Sequence, residues 1–426
     1  MLSVKEAEEV ILGLVEPLDG NQDCETVDLS SAVGRILATP VSSQLDFPHW
    51  DNSAMDGYAV RFVDVQFANA QQPAVLEVVE EIPAGYQPQV VIKSGQAARI
   101  LTGAVMPVGA DTVVMQEQTR REGSSIFILA PPTQPQAFVR HQGAFYQAGT
   151  QLLSAGIPLN APEIAVLAAA QCHQLPVYRR LRVAIISTGD ELVTPEQPLQ
   201  AGQIVDSNQY ALAALVTQMG GIPLCLGIVP DQPQALKDAI LQGSRYANAQ
   251  AISSSDVVLS SGGVSVGDYD YVDQILAELG AEIHIRAVAI KPGKPLTFAT
   301  FYGNKAGNSQ PVLYFGLPGN PVSSLVTFWR FVQPALKKLS GLGTGWEPVF
   351  IMARSWDDLR SDGKRETYLW GQLHLVDGVY EFQLAGGSHS SGNLINLAQT
   401  TGLAVMPVDH KFIPAGEAVK VLAINH

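Results

Sequence analysis

Basic residues are scarce in this chain: Lys and Arg number 26 against 40 Asp and Glu, giving a formal net charge of -14 and a pI near 5.0. No run of Lys or Arg interrupts that balance, so the basic face that phosphate neutralisation requires is missing and no nucleic-acid partner is expected. Cysteine is rarer still. Cys24, Cys172 and Cys225 lie far apart with no CxxC pair, which speaks against a zinc site or a disulfide framework and fits a reducing cytoplasm. No apolar run approaches the roughly 18 residues that a membrane-spanning helix needs, so no membrane is expected either. HExxH, a Walker A sequence and a Ser/His/Asp grouping are also absent, and the histidines are scattered. Hydrolase and P-loop chemistry therefore have little support.

What is present is punctuation and alternation. At 426 residues the chain exceeds one ordinary core, and two to four domains are expected. The opening "MLSVKEAEEVILGLVEPL" is acidic where a signal peptide would be basic, and Val4, Ala7, Val10, Ile11 and Leu14 recur at helical spacing. An amphipathic helix of the mature fold is predicted there. Short apolar runs such as "AVLEVV", "TVVMQEQ" and "SIFILA", broken by Gly and Pro, predict a small β domain over 47–147. The Ala-rich stretch from Ala161 to Cys172 reads as a helix that packs on the N-terminal one, the two belonging to a linker domain of residues 1–46 and 148–178.

Over 179–340 strand, loop and helix repeat: "RVAIIS" before "DSNQYALAALVTQMG", "IPLCLGIV" before "QPQALKDAILQG", "DVVLSS" before "DYVDQILAELG", and "VLYFGL" before "SSLVTFWRFVQPAL". The fold class this implies is α/β plus β, with a mostly parallel sheet covered by helices on both faces and its ligand at the carboxyl ends of the strands. A last β domain spans 345–426, with a hairpin turn at Asp377 and Gly378.

The loops after those strands carry the candidate chemistry. "STGDEL" holds Glu191, and "SSGGVSVGDYDY" holds Asp268 and Asp270 behind glycines that permit close backbone approach. Each also has a plain structural use, Glu191 in a helix first turn and an aspartate as helix cap. With Asp231 these acids fall at one edge of one sheet, where clustered carboxylates repel unless a cation is shared. Hard oxygen ligands suit Mg²⁺, which keeps substrate phosphates in its shell. "IKPGKPL" supplies Lys291 and Lys294 between prolines, and "GLPGNPVSSLV" places Ser323 and Ser324 at a helix start, as phosphate binders or as a cap.

Taken in order, "DNSAMDGYAV", "RILTGAVMPVGADTVVMQE", "STGDEL", "SSGGVSVGDYDY", "IKPGKPL" and "FGLPGNPVSSLVTF" strongly resemble the molybdopterin molybdotransferases, the MoeA and gephyrin E-domain family, over almost the whole chain. The resemblance implies an N-terminal linker region, an inserted β domain, a molybdopterin-binding α/β domain and a C-terminal β barrel, assembled as a homodimer. It also implies the reaction, in which adenylylated molybdopterin is cleaved with Mg²⁺, AMP leaves and molybdate is placed on the dithiolene. By residue it implies catalytic roles for Asp56, Thr102, Glu191, Asp231 and Asp270, with Glu191, Asp231 and Asp270 also holding the metal. Substrate contacts fall to Ser187, Thr188, Gly189, Ser261, Gly262, Gly263, Ser265, Lys291, Lys294, Pro318, Asn320, Pro321 and Ser323. Asp56 and Thr102 would serve the dimer partner's site. The implied partners are the molybdopterin adenylyltransferase and molybdoenzyme apoproteins.

Two departures stand out. Members commonly carry Gly-Glu-Asp near the end of the inserted domain, where this chain has Gly143, Ala144 and Phe145, and some carry a lysine where Ala287 stands. Two other expectations stay open: a catalytically weak scaffold, which the missing acids would support, or an adenylyltransferase acting on molybdopterin, which shares the α/β domain with its SGG loop but does not require the flanking β domains.

Overall fold

A computed structural model of the chain describes residues 1–243, 255–262, 269–301 and 310–424, with the side chains of 269–271 outside that description. Strand Arg182–Thr188 is flanked by Ile222–Val229 and Val257–Ser261, and the latter by Val312–Leu317, all parallel. Pro295–Phe301 and Ala281–Ala287 then extend the sheet antiparallel, completing six strands. The α/β expectation holds, with Pro295–Phe301 reversed among these six strands and Ala281–Ala287, antiparallel to it, running in the direction of the other four. Val183, Ile185, Val257, Leu259 and Phe315 pack on helices Asn208–Gln218 and Gln333–Leu339, while Ala184, Ile186, Val258 and Tyr314 pack on Pro233–Gly243 and the Tyr269–Glu278 helix. Both faces being covered explains why these strands read as unbroken apolar runs rather than alternating ones.

The first helix, Val4–Leu14, begins at a capping box in which Ser3 and Glu6 satisfy each other's backbone N–H. Its buried Val4, Ala7 and Ile11 face Gln333–Leu339 of the α/β domain, and a side chain of the size of Ile11 contributes about 2 kcal/mol when fully buried. Helix Ala161–Ala169 instead packs Leu167 against Ala32, Leu37, Leu159 and Val177. The expected contact between the two helices is therefore corrected. Each has an apolar face, but a different partner covers it.

The inserted region forms a six-stranded sheet with a core on each face, one around Tyr58 and Val114 and the other around Ile82 and Ile100. In the C-terminal region Phe350–Ser355, Glu366–Val376, Val379–Leu384, Gly402–Met406 and Ala418–Ala423 close into a five-stranded barrel. Asp377 and Gly378, with φ of 48 and 81, make its hairpin turn as the sequence predicts. The short strand Ile290–Lys291 pairs with Glu366–Val376, so the lysine loop is stitched to the barrel's edge.

Candidate functional site at the carboxyl edge of the sheet

Ser187, Ser261 and Leu317 stand in register across three parallel strands, so the loops after them leave from one edge. The antiparallel Pro295–Phe301 strand begins at that same edge, with Thr297 opposite Gly316 and Lys294 just before it. Gly262 lets the loops meet. Its φ is +97, and a Cβ there would fall 2.2 Å from the Thr188 carbonyl oxygen; on the other side, the Cβ position of Gly319 is 3.4 Å from the Gly262 Cα. Only a glycine satisfies both demands. Asn208, at the start of its helix, donates from Nδ2 to Ser261 Oγ at 2.6 Å and to the Gly319 carbonyl at 2.8 Å.

No helix starts at "STGDEL": the chain passes directly into the strand Leu192–Val193, which removes the helix first-turn use for Glu191. The Glu191 carboxylate folds back over Gly189, where a Cβ would lie 2.7 Å from Oε2. Asp190, in the same loop, accepts the Asp231 N–H at 3.1 Å, joining two acid-bearing loops. Glu191, Asp190 and Asp231 are all exposed. Asp270 lies in the helix Tyr269–Glu278 with its side chain outside the described residues, and Gly263, Ser265 and Asp268 fall outside them entirely. Among the described residues no three His, Cys, Asp or Glu side chains form a metal-sized group.

Beneath the loops lies a floor of buried hydroxyls. Ser187, Thr188, Thr297 and Ser324 are at most 4% exposed, and among the described residues none of their hydroxyls has a hydrogen-bond partner. Ser260 differs, bonding the Tyr314 hydroxyl at 2.6 Å. Orphaned buried hydroxyls cost free energy, and their concentration at one sheet edge marks a region kept for something other than stability.

Lys291 Nζ donates to Asp362 Oδ2 at 3.0 Å, and the Asp362 carboxyl is held below its ordinary range first by the Lys364 N–H and then by Lys291. Lys294 is exposed and makes no ion pair among the described residues. Pro318 is buried, Asn320 occupies the N-cap position without a side-chain cap bond, and Pro321 opens the helix Pro321–Thr327. Ser323 is thus inside the helix and 4% exposed, which corrects the expectation of a serine cap.

In the inserted domain Asp56 Oδ1 accepts both the N–H and the hydroxyl of Thr102 at 2.7 Å. Those two bonds, ahead of the charge of Arg99, hold its carboxyl below the usual range. Among the described residues no hydrogen bond links this pair to the sheet edge. The loop with Ala144 and Phe145 keeps its shape by other acids: Asp51 accepts the Gln142 N–H at 2.7 Å and Asp46 the Ala148 N–H at 2.8 Å. Phe145 is 63% exposed, its ring 5.7 Å from that of Phe47.

Sequence reasoning missed Asn208, Asp190 and Asp362 as members of this edge. Asn208 and Asp362 belong to none of the six motifs quoted for the family, Asp190 in "STGDEL" suits a turn or a cap, and Asp362 lies far along the chain from the lysine it pairs with.

The family descriptions "MoeA N-terminal region (domain I and II)", "Probable molybdopterin binding domain" and "MoeA C-terminal region (domain IV)" match residues 2–170, 184–338 and 352–424. A molybdopterin molybdenumtransferase of Nostoc sp. is 65% identical over 424 residues, covering 100% of this chain and 94% of that one. Its counterpart from Haemophilus influenzae is 33% identical, covering 100% and 99%. Among solved structures, the molybdopterin biosynthesis MoeA protein of Pyrococcus horikoshii OT3 is 29% identical, with a TM-score of 0.80 over 99% of this chain and 100% of that one.

Proposed function

This chain belongs to the MoeA family, and from that membership we propose that it is a molybdopterin molybdenumtransferase that cleaves adenylylated molybdopterin, releases AMP and places molybdate on the dithiolene. The observation that carries the reading is the convergence of the Thr188, Gly262 and Gly319 backbones, tied by Asn208, over orphaned hydroxyls. A flat, glycine-lined edge admits a pterin and its phosphate close to the backbone, where a side chain would exclude them. Lys291 and Lys294 hold the tetrahedral oxyanion by charge, and the barrel strand fixes Lys291 while Lys294 stays in water.

Glu191 and Asp231, in two loops joined by the bond from the Asp231 N–H to Asp190, are the hard oxygen donors that would take Mg²⁺, and Asp270 would complete the set. When bound, the ion supplies charge neutralisation at the phosphoanhydride. The protein's own part is to hold that anhydride and the oxyanion at one edge in fixed orientation, which accounts for much of the rate in phosphoryl chemistry.

A homodimer is part of this proposal. Asp56 and Thr102 are locked to each other and, among the described residues, have no hydrogen bond to the sheet edge of their own chain, which supports their serving a second copy's site. The adenylyltransferase that makes the substrate and the apoproteins that receive the product are the partners this chemistry requires. A cytoplasmic setting is supported by three free cysteines; no helix among the described residues is long and apolar enough to cross a membrane.

The test is AMP release from adenylylated molybdopterin with Mg²⁺ and molybdate, comparing wild type with Glu191→Gln and Asp270→Asn. Molybdate-dependent release that collapses in both variants supports the transferase and its acidic loops. Binding without release would favour the scaffold reading, for which the exposed Phe145 in place of an acid is the structural argument.

A further inference from the structure

The helix that opens at Pro321 does not continue at one pitch: Phe328–Val332 form a π-helical turn before Gln333–Leu339 resumes the α form. Such turns are rare and concentrate where a side chain must reach a particular place; each extra residue rotates the rest of the helix by about 100°. The side chain delivered here is Arg330, 4% exposed among Val326, Phe328, Phe331 and Val332. A buried guanidinium persists only when its partners hold it. Arg330 Nη1 and Nη2 donate to the two carboxylate oxygens of Glu8 in the first helix, each at 2.8 Å, and Nε donates to the Tyr368 hydroxyl at 2.9 Å. Tyr368, fully buried, passes the contact on by donating to Glu366 Oε1 at 2.6 Å.

That chain of bonds ends on the strand that carries the lysine loop. The Glu366 N–H donates to the Ala289 carbonyl at 3.1 Å, and Glu366 and Thr367 stand in register with Ile290 and Lys291. The same helix grips the loop's other side, since a Cβ on Gly293 would fall 2.5 Å from Thr327 Cγ2. The segment ahead of the first helix holds it too: Leu2 donates to the Ala287 carbonyl at 3.2 Å and accepts from the Ala289 N–H at 2.8 Å. The helix that carries Arg330, the strand that carries Tyr368 and the segment leading into the helix of Glu8 therefore all touch the loop, while Phe350, whose ring lies 5.7 Å from the guanidinium, comes from another barrel strand.

We propose that Arg330, Tyr368 and Glu366 form a positioning relay that sets where Lys291 stands over the sheet edge, so that the barrel and the first helix jointly govern oxyanion capture. The inference rests on the reading that Lys291 helps to hold molybdate. None of the three residues touches substrate. Their effect passes through the backbone pairing of Ile290 and Lys291 with Glu366 and Thr367.

The experiment is a double-mutant cycle on molybdate-dependent AMP release with Tyr368→Phe, Lys291→Ala and the pair. Tyr368→Phe keeps the buried ring and removes only the hydroxyl between Arg330 and Glu366. The expected result is a roughly threefold to tenfold rise in KM for molybdate with kcat changed less than about twofold. The double variant should then show the KM of Lys291→Ala alone, because the relay has no lysine left to place. If the two effects multiply, or if kcat falls while KM holds, Tyr368 is merely structural and the relay is overturned. If Lys291→Ala itself leaves the molybdate KM unchanged, the lysine assignment fails first and the relay with it. Glu366→Ala is the second variant, for the case that Tyr368→Phe does not fold; an unchanged KM there also overturns the proposal.

Discussion

Asn208 holds Ser261, at the end of one strand, and Gly319, after another, with a single amide, through bonds of 2.6 and 2.8 Å. It thereby fixes the spacing of two loops that the sheet alone leaves free to separate. Asn208→Ala removes both bonds at a partly buried position, and each net bond is worth about 1 kcal/mol. The expected outcome is a loss of roughly tenfold in molybdopterin affinity by titration calorimetry, with urea stability lowered by no more than about 2 kcal/mol. Unchanged affinity would mean that the loops keep their spacing without the amide.

Gly262 is the more severe position. Alanine there meets the Thr188 carbonyl at 2.2 Å and must also adopt a φ of +97, so the backbone has to move. Gly262→Ala is expected to lose molybdenum-insertion activity while costing about 1 to 3 kcal/mol of stability, more than an alanine at a compatible φ would. Activity assays beside urea melts check this; a fully active variant would show that the loops need not touch.

The alternation of Val183–Ile186, Val257–Leu259 and Val312–Leu317 with helical segments was legible because strands buried on both faces write continuous apolar runs. The hairpin at Asp377 and Gly378 was legible because its dihedral angles demand those residue types. Partnership was not. Ile11 announces that something covers the first helix, and nothing in its spacing says that this is Gln333–Leu339 rather than Ala161–Ala169. Asn208 and Asp362 were missed for the same reason, since each acts across a distance in sequence that only the folded chain closes. Ser323 misled because the proline at helix position one moved the cap back to Asn320.

Thr102 should tune Asp56 without supporting the fold. The depressed Asp56 carboxyl contributes stability that is present above the unfolded-state pKa and lost as pH falls through the folded value, and its full exposure makes that contribution small. Thr102→Val deletes the hydroxyl bond and leaves the N–H bond. A carboxyl titration by NMR should then show the Asp56 pKa rising towards its ordinary value, with thermal stability at neutral pH unchanged. An unmoved titration would assign the shift to the N–H alone.

Asp256 ties the linker region to the start of the central sheet. Its side chain is 2% exposed and accepts two bonds from Arg179, at 2.8 and 2.9 Å, together with the Arg182 N–H at 2.9 Å. Asp256→Ala leaves the Arg182 amide without this acceptor and Arg179 with Asp23 as its remaining carboxylate. A loss of about 3 kcal/mol in urea unfolding is expected. A loss below about 1 kcal/mol would place the hold between these regions in apolar packing instead.

Under the proposed role of Lys291, Asp362 is expected to compete with substrate for it. The pair is partly exposed, with side chains 44% and 36% accessible, so its attraction is screened and the lysine can be drawn away by a stronger anion. Asp362→Asn keeps an oxygen acceptor near Nζ and removes the negative charge beside the site. The molybdate KM should fall about twofold to fivefold at low ionic strength, and the difference should shrink in roughly 0.5 M salt as the Debye length drops below the size of the site. A KM that rises instead would show that the charge of Asp362 is needed to aim the lysine, and that positioning outweighs competition at this edge.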